Sequence, residues 1–116
     1  MSESFELIVK PWGSEELIEV NGNYVLKKLQ MNKGHRCSLQ YHRVKHETIY
    51  VLVGQLQVST GTSQESIENL ILSAGDSLVI KPGVIHRMEA LEASEYLEAS
   101  TPELDDVVRL SDDYKR

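Results

Sequence analysis

Cysteine is almost missing from this chain of 116 residues: Cys37 stands alone. A single thiol excludes an intramolecular disulfide and suits a reducing compartment. No motif of nucleophilic chemistry surrounds it, so Cys37 is expected to be a small buried hydrophobe. Long apolar runs are missing too, and nothing approaches the length of a membrane span. The opening MSESFELIVK carries two Glu and lacks the basic start and apolar block of a secretory signal. A cytoplasmic protein with no membrane partner is the resulting expectation. Positive charge is in deficit, and a net charge of −6 argues against a nucleic-acid partner. Repeats, heptads and low-complexity segments are absent, as is any credible helix of ordinary length. The length fits one domain over residues 1–116 and leaves no room for a separate nucleotide-binding domain.

The charge that is present is unevenly placed. No Asp or Glu occurs from Val20 to His46, where Lys27, Lys28, Lys33, Arg36, Arg43 and Lys45 lie. The last third is the reverse, with Glu89, Glu92, Glu95, Glu98, Glu103, Asp105, Asp106, Asp112 and Asp113. Two readings stay open: solvated faces of opposite sign, or a basic rim that attracts a small anion.

Strand signals fill the space left by helices. Short apolar-rich segments are expected at Phe5–Val9, Glu15–Val20, Tyr24–Asn32, Cys37–His42, Glu47–Val53, Gln55–Thr60, Ser66–Leu72, Ser77–Lys81, His86–Ala90 and Glu95–Ser100. Asn21-Gly22-Asn23 reads as a hairpin turn. The tail from Thr101 reads equally as a helical turn or a strand. Close spacing of many strands points to an all-β sandwich or barrel. Ile49–Val53 and Leu78–Ile80 are apolar on both faces, so a second sheet or a partner subunit must cover the outer side. This motivates a homodimer, with Phe5–Val20 as its expected seam. In Tyr24–Asn32, Lys27 shares a face with Val25, Leu29 and Met31, a costly place for an ammonium unless it meets a polar pocket.

Four residues then fall into a pattern. Gln40 and His42 project from the same face of a strand. Glu47 follows after a bend of four residues, where an antiparallel return would bring it alongside. His86 opens another strand after Pro82-Gly83. Two imidazoles, a carboxylate and an amide oxygen suit one borderline divalent cation, with zinc taken first and manganese, iron, nickel or cobalt as alternatives. A cation that accepts more than four ligands keeps positions open for substrate oxygens. His35 and His46 lack the shared parity and are expected to be ordinary histidines.

The spacing Gly34, five residues, Gln40-x-His42, four residues, Glu47, six residues, Gly54 resembles the first motif of the cupins, with Gln40 in place of a first histidine. Gly75, Pro82-Gly83 and His86 resemble the second motif, with the Pro displaced by one and Ala90 where Asn is usual. A closer resemblance is to the C-terminal cupin domain of type II phosphomannose isomerases, often fused to a GDP-mannose pyrophosphorylase. It rests on Pro11-Trp12-Gly13, Lys27, Ser38-Leu39-Gln40-x-His42 running into Glu47, and Pro82 to Arg87. It extends to Asp105-Asp106-Val107-Val108-Arg109 and Asp112-Asp113-Tyr114-Lys115-Arg116. Arg43-Val44-Lys45 replaces a histidine-rich run, Lys115 replaces a glycine, and the segment before Asp105 is about three residues short.

The resemblance implies a single cupin domain: a double-stranded β-helix, or jelly-roll barrel, with the metal inside its mouth. It implies aldose–ketose isomerisation of a small-molecule sugar phosphate, led by mannose 6-phosphate to fructose 6-phosphate, in nucleotide-sugar or polysaccharide precursor metabolism. Lys27, Arg87 and Arg109 would bind phosphate or steady developing negative charge, and Lys27 and Glu98 are the candidates for proton transfer. Two other classes remain. One is a metal-binding sugar-recognition cupin without chemistry. The other is a different metal enzyme such as an oxygenase, since two His and a carboxylate also serve non-haem iron.

Overall fold

The turn residues punctuate the chain where the strands end. In the computed structural model, which describes residues 6–114, those residues form eleven strands and no helix. They are β1 (Glu6–Lys10), β2 (Gly13–Val20), β3 (Val25–Met31), β4 (Leu39–Tyr41), β5 (Glu47–Val53), β6 (Gln55–Gly61), β7 (Glu68–Ser73), β8 (Ser77–Ile80), β9 (Ile85–Ala90), β10 (Ser94–Ser100) and β11 (Val108–Ser111). Two antiparallel sheets result, of six strands in the order β1-β2-β3-β10-β5-β8 and of five in the order β11-β4-β9-β6-β7. This is the expected all-β jelly roll.

Asn21 sets the first hairpin. Its side-chain oxygen accepts the N–H groups of Asn23 at 2.8 Å and Tyr24 at 2.9 Å, a local bond that short polar side chains favour in turns. Other boundaries moved for identifiable reasons. β4 is shorter than Cys37–His42 because Cys37 donates its N–H to Met88 and His42 accepts from Gly83, both outside its own strand. β7 starts at Glu68 because Ser66 closes a turn onto Ser63. The tail resolves as a strand, β11, paired with β4. Phe5 lies outside the described residues.

The inward faces change character along their length. At one end Leu29, Met31, Val51, Leu56, Val58, Met88 and Tyr96 pack into the apolar core. Full burial of such side chains is worth about 1.5–3 kcal/mol each. At the other end the inward positions of the same strands carry Lys27 on β3, Glu98 on β10, Glu47 on β5 and His86 on β9, all buried. Among the described residues nothing covers the outer face of the six-stranded sheet at Tyr50 and Leu52 of β5 and Val79 of β8, which are exposed.

The two oppositely charged segments meet each other. β3 pairs with β10, which sets Lys28 3.5 Å from Glu95 and Glu98 directly across from Lys27. Lys33 reaches Glu92 at 3.5 Å, and Arg36 grips Asp113 at 2.6 Å. The surface members of this set add little stability each. They show that most of the basic run is spent on the acidic run rather than on a free rim.

Gly54 lets the chain pass from β5 to β6. Its φ is +89°, and a Cβ there would collide with the carbonyl oxygen of Ala93. Gly54→Ala should cost about 1–3 kcal/mol from the backbone conformation alone. Urea unfolding measures this, and an unshifted midpoint would refute it.

Candidate metal centre

Both sheets contribute to the polar end. Gln40 on β4 lies in register with His86 on β9, and Arg109 of β11 lies in register with Gln40 on the other side. His42 follows β4 immediately, and Glu47 begins β5 in the opposite sheet. His42 Nε2 and His86 Nε2 each lie 3.1 Å from Glu47 Oε1, with the ring centroids 5.1 Å apart. One ligand atom from each of the three lies within 4.8 Å of the others.

The outer nitrogens fix what the inner ones present. His42 Nδ1 donates to the carbonyl of Asp106, and His86 Nδ1 donates to the carbonyl of Val84 at 3.0 Å. A ring that donates through Nδ1 offers only a lone pair at Nε2 while it is neutral. Two such lone pairs facing one carboxylate oxygen repel it unless a cation lies between them, either a proton or a metal ion. His86 Nε2 is close to Glu47 but not aligned to bond with it, and it and Glu47 Oε2 are buried without a hydrogen-bond partner. Burial works against a charge on either residue. The imidazoles and Lys45 nevertheless hold Glu47 well below the usual carboxylate range, and the Glu47 carboxylate and Asp106 carbonyl raise His42. The group can hold a divalent ion. Gln40 lines the same cavity, with its amide oxygen engaged by Ser38 Oγ at 2.5 Å.

In front of the centre lies a cavity of about 480 Å³. Trp12, Leu29, Met88 and Tyr96 form its apolar wall, and Glu15, Lys27, Lys45, Glu98 and Arg109 its polar one. The polar side chains form a chain of alternating charge. Lys27 Nζ is 3.1 Å from Glu15 and 3.9 Å from Glu98, and Lys45 Nζ is 3.1 Å from Glu98 and 3.6 Å from Glu47. Burial, then the charge of Glu47, pushes Glu98 upward against the pull of the two lysines. Cys37 is the expected inert thiol: burial pushes it up to about 11, and its Sγ accepts the Met88 N–H.

Of the residues singled out from sequence, Lys27, Gln40, His42, Glu98 and Arg109 border the cavity, and Glu47 and His86 stand behind His42. Arg87 does not. Its guanidinium donates to the carbonyls of Cys37 at 2.8 Å and Ser111 at 3.1 Å, on the far side of β9 from His86. It fastens β11 down instead of facing a ligand. His35 stacks on Tyr114, away from the centre, as expected of an ordinary histidine. Sequence reading missed Glu15 and Lys45. The signal for Glu15 was the hairpin, whose register sets it across from Leu29, diagonal to Lys27. Lys45 shares the parity of Glu47.

A double-sheet jelly roll with a His-Glu-His cluster inside its mouth is a cupin. Solved cupin folds superpose on the chain accordingly. KdgF from Halomonas sp. aligns with a TM-score of 0.75 at 20% identity, over 89% of this chain and 91% of that one. Oxalate decarboxylase from Bacillus subtilis aligns with a TM-score of 0.80 at 17% identity, over 91% of this chain and 30% of that one. At such identities the likeness concerns the fold alone. The chain belongs to the family described as mannose-6-phosphate isomerase C-terminal, which matches residues 2–112. It is 31% identical to the xanthan biosynthesis protein XanB of Xanthomonas campestris and 32% identical to a mannose-1-phosphate guanylyltransferase of Salmonella montevideo. Each match covers 94% of this chain but only 23% of the relative's length.

Protein purified without chelators should carry about one equivalent of a divalent metal. His42→Ala combined with His86→Ala should remove it, as read by elemental analysis. Unchanged metal content in the double variant would rule the centre out.

Proposed function

We propose that the chain is a metal-dependent aldose–ketose isomerase of sugar phosphates, with mannose 6-phosphate and fructose 6-phosphate as its leading pair. The observation that carries the reading is the buried convergence of two imidazole Nε2 atoms on one carboxylate oxygen, at 3.1 Å each, beside a cavity walled by both donors and acceptors. The family points the same way, and the names of the relatives connect it to nucleotide-sugar and polysaccharide precursors. His42, Glu47 and His86, with Gln40 as a fourth ligand, would hold the ion. When bound, it supplies Lewis-acid polarisation of the substrate oxygens.

The remaining work falls to side chains. Isomerisation moves the proton on C2 of the aldose to C1 of the ketose, and the proton on O2 to O1. Glu98 Oε2 lies between Lys27 and Lys45 at the cavity wall, and its upward-pushed carboxyl matches the needs of a base that takes a proton and returns it. Lys27 and Lys45 steady the negative charge that develops meanwhile. Lys27 already shares its charge with Glu15 and Glu98, which makes it a poor grip for phosphate. Arg109 lines the cavity and is exposed, and its guanidinium has no hydrogen bond or ion pair among the described residues. It is the better phosphate ligand.

Purified, metal-defined protein should convert mannose 6-phosphate in an assay for fructose 6-phosphate. Glu98→Gln should lower kcat about 10²–10⁴-fold with metal content intact. Full activity in that variant would exclude Glu98 as the base, and no turnover by the wild type of any aldose or ketose phosphate would exclude the isomerase. Arg109→Met removes one charge-assisted contact worth about 1.5–3 kcal/mol. Calorimetry should then show roughly ten- to a hundredfold weaker binding of the phosphorylated sugar and little change for free mannose. Equal affinity for the phosphorylated sugar would place the phosphate elsewhere.

The same reading includes a homodimer. β1 is an edge strand with Leu7 and Val9 exposed, continuous with Ile18 and Val20 of β2. Such an edge invites pairing with another chain. Light scattering at micromolar concentration should give twice the chain mass, and a monomer would refute it.

A further inference from the structure

The loop between His42 and Glu47 has no ladder of its own. Four consecutive N–H groups in it, from Arg43 to His46, all donate to side chains of the tail segment. Asp106 Oδ1 accepts from Arg43 at 3.0 Å, and Oδ2 accepts from Val44 at 2.7 Å and Lys45 at 2.8 Å. Thr101 Oγ1 accepts from His46 at 3.0 Å, and the Thr101 N–H returns a bond to the His46 carbonyl. The carbonyl of Asp106 also receives His42 Nδ1. One residue therefore fixes the ring of one metal-ligand candidate and the backbone leading to the next.

We infer that Asp106 is the positioning residue of the metal centre, setting the His42–Glu47 geometry through the 43–46 loop rather than touching ion or substrate. The inference rests on the metal-centre reading above. Successive N–H groups curled around one anion form a rigid nest. Ligand atoms need placement to within about half an ångström. A four-residue change of direction between ligands, left to solvent, would not hold that tolerance. The alternative is a mere fastening of the tail. That task is already served at the other end of the tail by Arg36 on Asp113 and by Arg87 on the Ser111 carbonyl.

Cobalt(II) titration followed by its visible absorption separates the two. Asp106→Ala should weaken cobalt binding about 10- to 100-fold, as loss of outer-shell partners does, and alter the band intensities that report ligand geometry. Asp113→Asn, which loosens the tail away from the loop, should leave affinity and spectrum as in the wild type. Wild-type cobalt affinity and spectrum in Asp106→Ala would overturn the inference, as would an equal loss in Asp113→Asn. If Asp106→Ala does not fold, Asp106→Asn, which keeps one acceptor oxygen, should give a smaller loss of the same kind, and an unchanged titration there would overturn the inference equally. A wild type that takes up no cobalt would defeat the metal centre itself, and the inference with it. Binding with indifference to Asp106 would defeat the inference alone.

Discussion

A carboxylate nearly sealed from water is the constraint on which the rest depends. Glu47 is 2% exposed. An isolated buried anion costs several kcal/mol even after relaxation. Its neighbours answer that cost in sequence: two imidazoles on one oxygen, the Lys45 ammonium near the other. Lys45 is itself buried and needs Glu98, Glu98 needs Lys27 as well, and Lys27 needs Glu15. Each partner sits on a neighbouring strand or loop, so the charge chain runs across the sheet in the order β5-β10-β3-β2. Mispairing any of these strands would leave a buried charge alone. The polar end of the fold thereby constrains topology as firmly as the apolar end supplies stability.

The same arrangement explains a cavity whose wall is largely polar. Its wall presents ammonium donors and carboxylate acceptors side by side, which suits a polyol, whose hydroxyls do both. Acid groups outnumber basic ones over the whole chain, yet the pocket is close to balanced because the basic run and the acidic run neutralise each other along β3 and β10. The long-range field thus says little about what the site attracts, and the guanidinium of Arg109, unpaired among the described residues, says more.

Much of this was legible from residue order. The strand set, the Asn21 hairpin and the shared face of Gln40 and His42 follow from alternation and turn chemistry alone. The inward lysine at position 27 was visible as an anomaly in an otherwise apolar face. Arg87 shows the opposite case. It follows His86 on one strand, and adjacent strand residues point to opposite faces, so if His86 enters the site Arg87 cannot. Parity in the sequence contained that exclusion, and the motif resemblance overrode it. Glu15, Lys45 and Asp106 were harder: Glu15 meets Lys27 only through a hairpin register, and the fold alone brings Lys45 to Glu98 and Asp106 to the 43–46 loop. The tail was undecidable for the same reason: β11 is a strand only because the exposed edge of β4 is there to receive it.

The division of the centre between two sheets has a mechanical consequence. Glu47 comes from the six-stranded sheet, and His42 and His86 come from the side of the five-stranded one. An ion held by all three would be a cross-link between the layers of the sandwich, placed at the end where apolar contacts run out. Prising the layers apart there and releasing the ion would be a single event. The lifetime of the loaded centre and the rate of unfolding would then share one barrier, so a chelator present in solution would set how long the fold persists under heat.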